Sequence, residues 1–211
     1  MKIISLNIGK KQKVNWRGQE VETGIYKKPV DKPLFLGKED VLGDHVVDRR
    51  YHGGLAKACY LYSADWYPYW QEKYPKLEWN WGMFGENITL QGLDESQLHI
   101  GDIYQLGDAL VRVMAGRQPC FKLGIRFNDQ AILKQFIDSP YPGVYLAVLE
   151  EGKVDKTDEM MFVERPEGSV PLLAVYKEIF KSNPNLDFVR EILDSPFVPE
   201  REKNTFRKKL K

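Results

Sequence analysis

Short runs of β-forming residues, each closed by a turn signal, follow one another through the first 165 residues of the chain. The clearest pair is Ile103–Leu106 and Ala109–Met114, joined by Gly107-Asp108. A two-residue Gly-Asp link between β-rich arms is what a primed hairpin turn requires. Other runs start at Ile3, Ile4, Leu6 and Ile8, and end in the polar stretch from Gly9 to Asn15. Further strands are expected at Val21–Val30, Ala58–Tyr62, Gly143–Leu149 and Met160–Val163. About ten short strands at this spacing predict a closed or nearly closed antiparallel barrel, a mainly β fold with flanking helices.

Two helices interrupt the strands. Over Ser63–Tyr74, the residues Trp66, Trp70 and Tyr74 recur at i, i+4 and i+8, and Pro75 ends the helix. This aromatic stripe reads as packing against a sheet rather than as a cofactor-stacking surface. Asp129 caps a second helix whose apolar face is Ile132, Leu133, Phe136 and Ile137. Composition changes after Arg165, where three short helical patterns begin near Pro171, Leu186 and Pro199. Three such helices bury too little to fold alone, so they should dock on the barrel without building its functional pocket. The chain thus divides into a barrel domain, residues 1–165, and a small three-helix segment, residues 166–211.

Charge and cysteine usage exclude several classes. A net charge of +1 in 211 residues gives no global field for nucleic acid or a membrane surface. No apolar run reaches the roughly 18 residues of a membrane span, and the N-terminus lacks a signal-peptide core. Two cysteines make no disulfide framework and suit a reducing cytoplasm. Together with three scattered histidines they show no zinc-ligand spacing, they cannot ligate a four-cysteine iron–sulfur cluster, and no glycine-rich flavin motif occurs.

The chemistry concentrates in three segments. Gly116–Gly124 carries Cys120 between Arg117 and Lys122, and Pro119 makes the backbone enter the thiol extended and stiff. Nearby cations favour a thiolate, which attacks electrophiles and binds metals, although a small cysteine after a strand is equally a core residue. Arg49-Arg50-Tyr51-His52-Gly53-Gly54 places cations and a histidine before glycines whose N–H groups suit an anion. Phe84–Thr89 brings Asn87 to the mouth of a strand, where its carboxamide serves either a ligand or the local backbone. Cys59 lies in an apolar run and reads as core, and His45 and His99 have no local partner that suggests chemistry.

Six segments in order resemble the MOSC family, named for the C-terminal domain of molybdenum cofactor sulfurases, and within it the stand-alone YiiM-like branch. They are TGIYKKPV at 23–30, LGD at 42–44, HGG at 52–54, FGENIT at 84–89, IGDIYQLGDA at 100–109 and RQPCFKL at 117–123. The resemblance implies a MOSC-type barrel with a three-helix tail and a molybdenum cofactor (molybdopterin) whose metal Cys120 ligates. It points to Lys27, Arg49, His52, Gly53, Gly54, Asn87 and Arg117 as cofactor-binding candidates, with Arg17, Lys28, Arg50 and Lys57 as weaker ones, and to Cys120, Asn87 and His52 as catalytic ones. The implied activity is reduction of small N-hydroxylated compounds, such as hydroxylaminopurines, to amines, with electrons from a separate reductase. A non-catalytic cofactor carrier or sulfur-transfer module is the alternative. A cysteine hydrolase with His52 as base and Asn87 as orienter is a third reading.

Overall fold

The computed structural model describes residues 1–47 and 53–210. The strands are β1 (Lys2–Gly9), β2 (Gln12–Trp16), β3 (Gln19–Thr23), β4 (Lys27–Pro29), β5 (Leu34–Leu36) and β6 (Cys59–Ser63). After helix α1 (Tyr67–Lys73) come β7 (Ile88–Gln91), β8 (His99–Ile100), β9 (Ile103–Leu106) and β10 (Ala109–Gly116). Helices α2 (Phe121–Phe127) and α3 (Ala131–Asp138) precede β11 (Val144–Glu150), β12 (Gly152–Val154), β13 (Met160–Glu164) and β14 (Val170–Pro171). The chain ends in α4 (Leu172–Phe180), α5 (Leu186–Asp194) and α6 (Glu200–Lys209).

Eight strands make one sheet in the order β13-β9-β10-β11-β6-β7-β1-β4. The hairpin β9–β10 takes the second and third places in this order, with Ala109 opposite Leu106 and Gly107 at φ 56°. Along β10 the side chains of Ala109, Val111, Val113 and Ala115 are buried, while Leu110, Arg112 and Met114 are half-buried on the other face. The alternation places one face of the strand in the barrel interior and leaves the other for the helices. The two ends of the sheet approach one another. An antiparallel bridge joins Lys2 to Glu159, and Met1 and Met160 exchange backbone hydrogen bonds of 3.0 and 2.9 Å. No continuous ladder closes the ring among the described residues, so the barrel is nearly closed.

The sheet is mixed rather than wholly antiparallel as expected, because β6 and β7 run parallel. Parallel neighbours cannot be joined by a hairpin, and the crossover between them contains α1. The polar stretch after Gly9 is also not a loop. It forms the hairpin β2–β3, and the strand expected over Val21–Val30 breaks after Thr23. Arg17 and Gly18 turn this hairpin with φ of 52° and 77°, the left-handed pair of a type I′ turn. Both its faces are largely polar, so period-two hydrophobicity was no guide. Helix α2 likewise had no periodic signal, since it is only seven residues long and contains Gly124.

A second, aromatic core lies against β6 and β11 beneath α1, α2 and α3. Trp70 is fully buried there among the rings of Tyr62, Phe84 and Phe136, and its indole N–H donates to Tyr62 Oη at 2.6 Å. Trp66 stacks on Tyr141 at 3.8 Å and Tyr74 meets Phe127 edge-on. The stripe is therefore packing. Cys59 is also core, and burial pushes its thiol up to about 12.

The three C-terminal helices share the barrel's core. Leu172, Val175, Ile179, Val189, Ile192 and Phe206 belong to the same apolar cluster as Val111, Val113 and Leu146. β14 pairs with β8, and Arg165 clamps the buried Asp102 through two hydrogen bonds of 2.7 and 2.9 Å. No described helix is long and apolar enough to cross a membrane.

Candidate functional site

One cleft gathers residues from distant parts of the chain. It is open to solvent, and its walls include Gly24, Lys27, Asp44, His45, Gly53, Lys57, Tyr60, Asn87, Arg117, Cys120 and Tyr145. Gly24 lets the two outer segments touch, for a Cβ there would lie 2.0 Å from His45 O.

Cys120 stands three residues after Arg117 and is the residue preceding the first turn of α2, with extended backbone at φ −117° and ψ 166°. It is half-buried and not disulfide-bonded. Arg117 is buried beside it. One of its terminal nitrogens donates to Phe84 O, and its guanidinium lies 5.0 Å from the centre of the Tyr60 ring. Its Nε is buried without a hydrogen-bond partner among the described residues. Burial opposes the charge on Arg117, but Tyr60, Tyr145 and Cys120 more than offset it, and the guanidinium pKa is raised. The β6–β11 register sets Tyr60 against Tyr145, and burial pushes both phenols up. They stay protonated near neutral pH.

Asp44 organises the opposite wall. Its Oδ1 accepts from Gly9 N at 2.8 Å, and its Oδ2 accepts from Lys27 Nζ and from Asn87 Nδ2 at 3.0 Å. Asn87 Oδ1 in turn accepts from Tyr60 N at 3.2 Å. Both ends of this carboxamide are thus engaged with the protein. Behind it, the fully buried Glu86 accepts from Tyr67 Oη, Gly82 N, Phe84 N and Thr89 Oγ1. Four donors on one carboxyl fix the Gly82–Glu86 turn that presents Phe84 O to Arg117.

Glu95 steadies the third wall. It accepts from Gly143 N at 3.0 Å and from Trp66 Nε1 at 3.2 Å, just before β11 carries Tyr145 into the cleft. Burial pushes its carboxyl up to about 7 against an unfolded value near 4.5. Between those values the folded chain holds a proton that the unfolded chain has released, so stability falls as pH rises across that window. Glu95→Gln should flatten this fall, which is on the order of 3 kcal/mol, at the expense of one of the two hydrogen bonds. Denaturant unfolding at pH 5 and pH 8 checks it, and an equally steep fall in the variant would count against the assignment.

Of the residues singled out from sequence, Lys27, Gly53, Lys57, Asn87, Arg117 and Cys120 meet on the cleft. Lys27 and Asn87 are committed to Asp44. Gly54 is not on the lining, and its N–H donates to Glu39 O at 2.9 Å. Arg49, Arg50 and His52 lie outside the described residues. Arg17 is at the tip of the β2–β3 hairpin, over the Trp16 ring. Sequence reasoning passed over Asp44, His45, Tyr60 and Tyr145. Asp44 had a signal in the Leu-Gly-Asp segment, while the tyrosines were hidden in runs that read as plain strands.

The MOSC domain family model matches residues 48–161. YflK of Bacillus subtilis is 34% identical over 207 residues, covering 98% of this chain and 93% of YflK. A Gibberella moniliformis protein named a reductase is 35% identical over 184 residues, which is 86% of this chain but 33% of that protein. Among solved structures, YiiM from Geobacillus stearothermophilus superposes with a TM-score of 0.79 at 31% identity, covering 100% of this chain and 99% of YiiM. Family model, near full-length relatives and fold agree, and the chain belongs to the MOSC domain family, in its stand-alone YiiM-like branch.

Proposed function

We propose that the chain is an oxidoreductase that holds a molybdenum–pterin cofactor through Cys120 and reduces N-hydroxylated compounds, hydroxylaminopurines among them, to amines. The observation that carries the reading is the pairing of one thiol with Arg117, whose buried Nε has no hydrogen-bond partner among the described residues, on a single cleft. The donor set fits such a cofactor. No group of three or more His, Cys, Asp or Glu placed to hold a metal ion occurs among the described residues. A metal here would bring most of its ligands with it, and a soft thiolate is a suitable remaining one. Arg117 and Lys57 supply charge for the anionic parts of that molecule.

The overall conversion takes R–NHOH, two electrons and two protons to R–NH₂ and water. When bound, the cofactor supplies the two-electron redox chemistry. The protein's part is placement. Asp44 holds Lys27 and Asn87 so that the β4 wall stays rigid, the Glu86 turn keeps Arg117 aimed at the cleft, and Tyr145 offers a phenol that burial keeps protonated. The reductase name of the fungal relative supports a redox role, although two thirds of that protein have no counterpart in the alignment.

Electrons come from a separate protein, because these residues hold neither a flavin motif nor cysteines for an iron–sulfur cluster. Protein prepared in a cofactor-competent host should therefore turn over a hydroxylated base with a chemically reduced dye and not with NADH alone. Steady NADH oxidation by the isolated chain would contradict the external donor. A loaded protein that reduces nothing under either condition would point to a carrier instead.

A further inference from the structure

Among the described residues the cleft lining contains none from the C-terminal helices, yet one of its cations is held from there. Lys57 lines the cleft, with its ammonium 5.2 Å from the centre of the Tyr145 ring. On its other side, Glu202 Oε1 of α6 stands 3.9 Å away. The Glu202 side chain is 2% exposed, and its Oε2 is buried without a hydrogen-bond partner among the described residues. A carboxylate in that position is costly unless a cation faces it. Among the described residues its ion-pair partner is Lys57.

The position of Glu202 is not an accident of a loose helix end. Phe206 lies one turn further along α6, fully buried in the barrel's apolar cluster, so Glu202 and Phe206 share the docked face. Anchoring of Phe206 fixes the height at which the carboxylate meets Lys57. The other charged groups acting on Lys57 are Arg201 and Arg117, and both oppose its charge, as does burial, the largest influence. Glu202 alone among these favours the ammonium. At 3.9 Å the contact is longer than a hydrogen bond, so the ammonium is held by charge and by the aromatic face together.

We infer that Glu202 is a positioning residue of the cleft: it fixes the Lys57 ammonium against Tyr145, so the C-terminal segment helps to build the cationic wall of the site. This rests on reading the cleft as the functional site and revises the expectation that the tail stands apart from it. Its test requires neither cofactor nor turnover, and so fails or succeeds separately from the proposed reaction.

Acetylation of Lys57 by acetic anhydride can be followed by peptide mass spectrometry across a pH series, with the exposed Lys134 as internal reference. Removing the carboxylate's charge in Glu202→Gln withdraws the influence that favours the ammonium. Labelling of Lys57 near pH 8 should then quicken at least about threefold, equivalent to a midpoint lower by roughly half a pH unit. The reference lysine should not change. Glu202→Asp, which keeps the charge but draws it back, should give a smaller change in the same direction and serves where Glu202→Gln does not fold. A folded Glu202→Gln or Glu202→Asp protein with the wild-type Lys57 profile overturns the inference, since a role confined to packing predicts no shift.

Discussion

Cys120→Ser should lower reducing turnover at least about a hundredfold, roughly 2.7 kcal/mol of barrier. Serine keeps the size of the side chain but replaces sulfur, a soft metal ligand, with a hydroxyl that stays protonated near neutral pH, so on the proposed role a bound metal would lose its protein ligand. The fold gives this variant an unusual control. Cys120 occupies the position before the first turn of α2 and its side chain makes no capping hydrogen bond. Serine is among the preferred residues at such a position and can bond the free N–H groups of the first turn. Compared as cofactor-free proteins, the melting temperature of the variant should hold or rise, while activity under loading conditions collapses. Loss of activity together with a fallen melting temperature would mean that the thiol acts through structure.

The largest loss of stability is expected from Trp70→Ala. Trp70 is fully buried, packs on Phe84 and Phe136 at ring distances of 5.8 and 6.0 Å, and donates to Tyr62 Oη. Truncation removes the indole from the centre of the aromatic core and takes a donor from a buried phenol. Both effects act in one direction, and together they should cost about 4 kcal/mol. For a chain of this length that lowers the melting temperature by about 10 °C. The cleft would feel the change through Phe84, whose carbonyl holds Arg117. Thermal unfolding gives the answer, and a cost below about 1 kcal/mol would show that this core repacks freely.

Local sequence patterns marked the aromatic core more clearly than the cleft. Trp66, Trp70 and Tyr74 announced a buried face because helical spacing is a local property, and the Gly107-Asp108 link announced its hairpin for the same reason. The parallel contact of β6 with β7 was not legible, since two adjacent β runs on either side of a helix look alike whichever way they pair. The β2–β3 hairpin was missed because its residues are polar on both faces and only Arg17-Gly18 marks the turn. In the cleft, the Arg-Gln-Pro-Cys segment was readable from composition. The roles of Lys27 and Asn87 were not, because their partner Asp44 comes from another segment and already engages both. The ion pair of Lys57 with Glu202 lies still further from view, joining the second quarter of the chain to its last helix.

In the proposed function, Cys120 anchors a molybdenum cofactor in this cleft. The most direct measurement is the molybdenum and pterin content of the chain and of its Cys120→Ser and Cys59→Ser variants, all purified from a host that makes the cofactor. Cys59 is 1% exposed inside β6 and is not on the cleft lining, so it provides a thiol-loss control. Stoichiometric metal and pterin are expected in the wild type and in Cys59→Ser, with metal lost or sharply reduced in a folded Cys120→Ser. Full metal in Cys120→Ser, or its loss in Cys59→Ser alone, would contradict it.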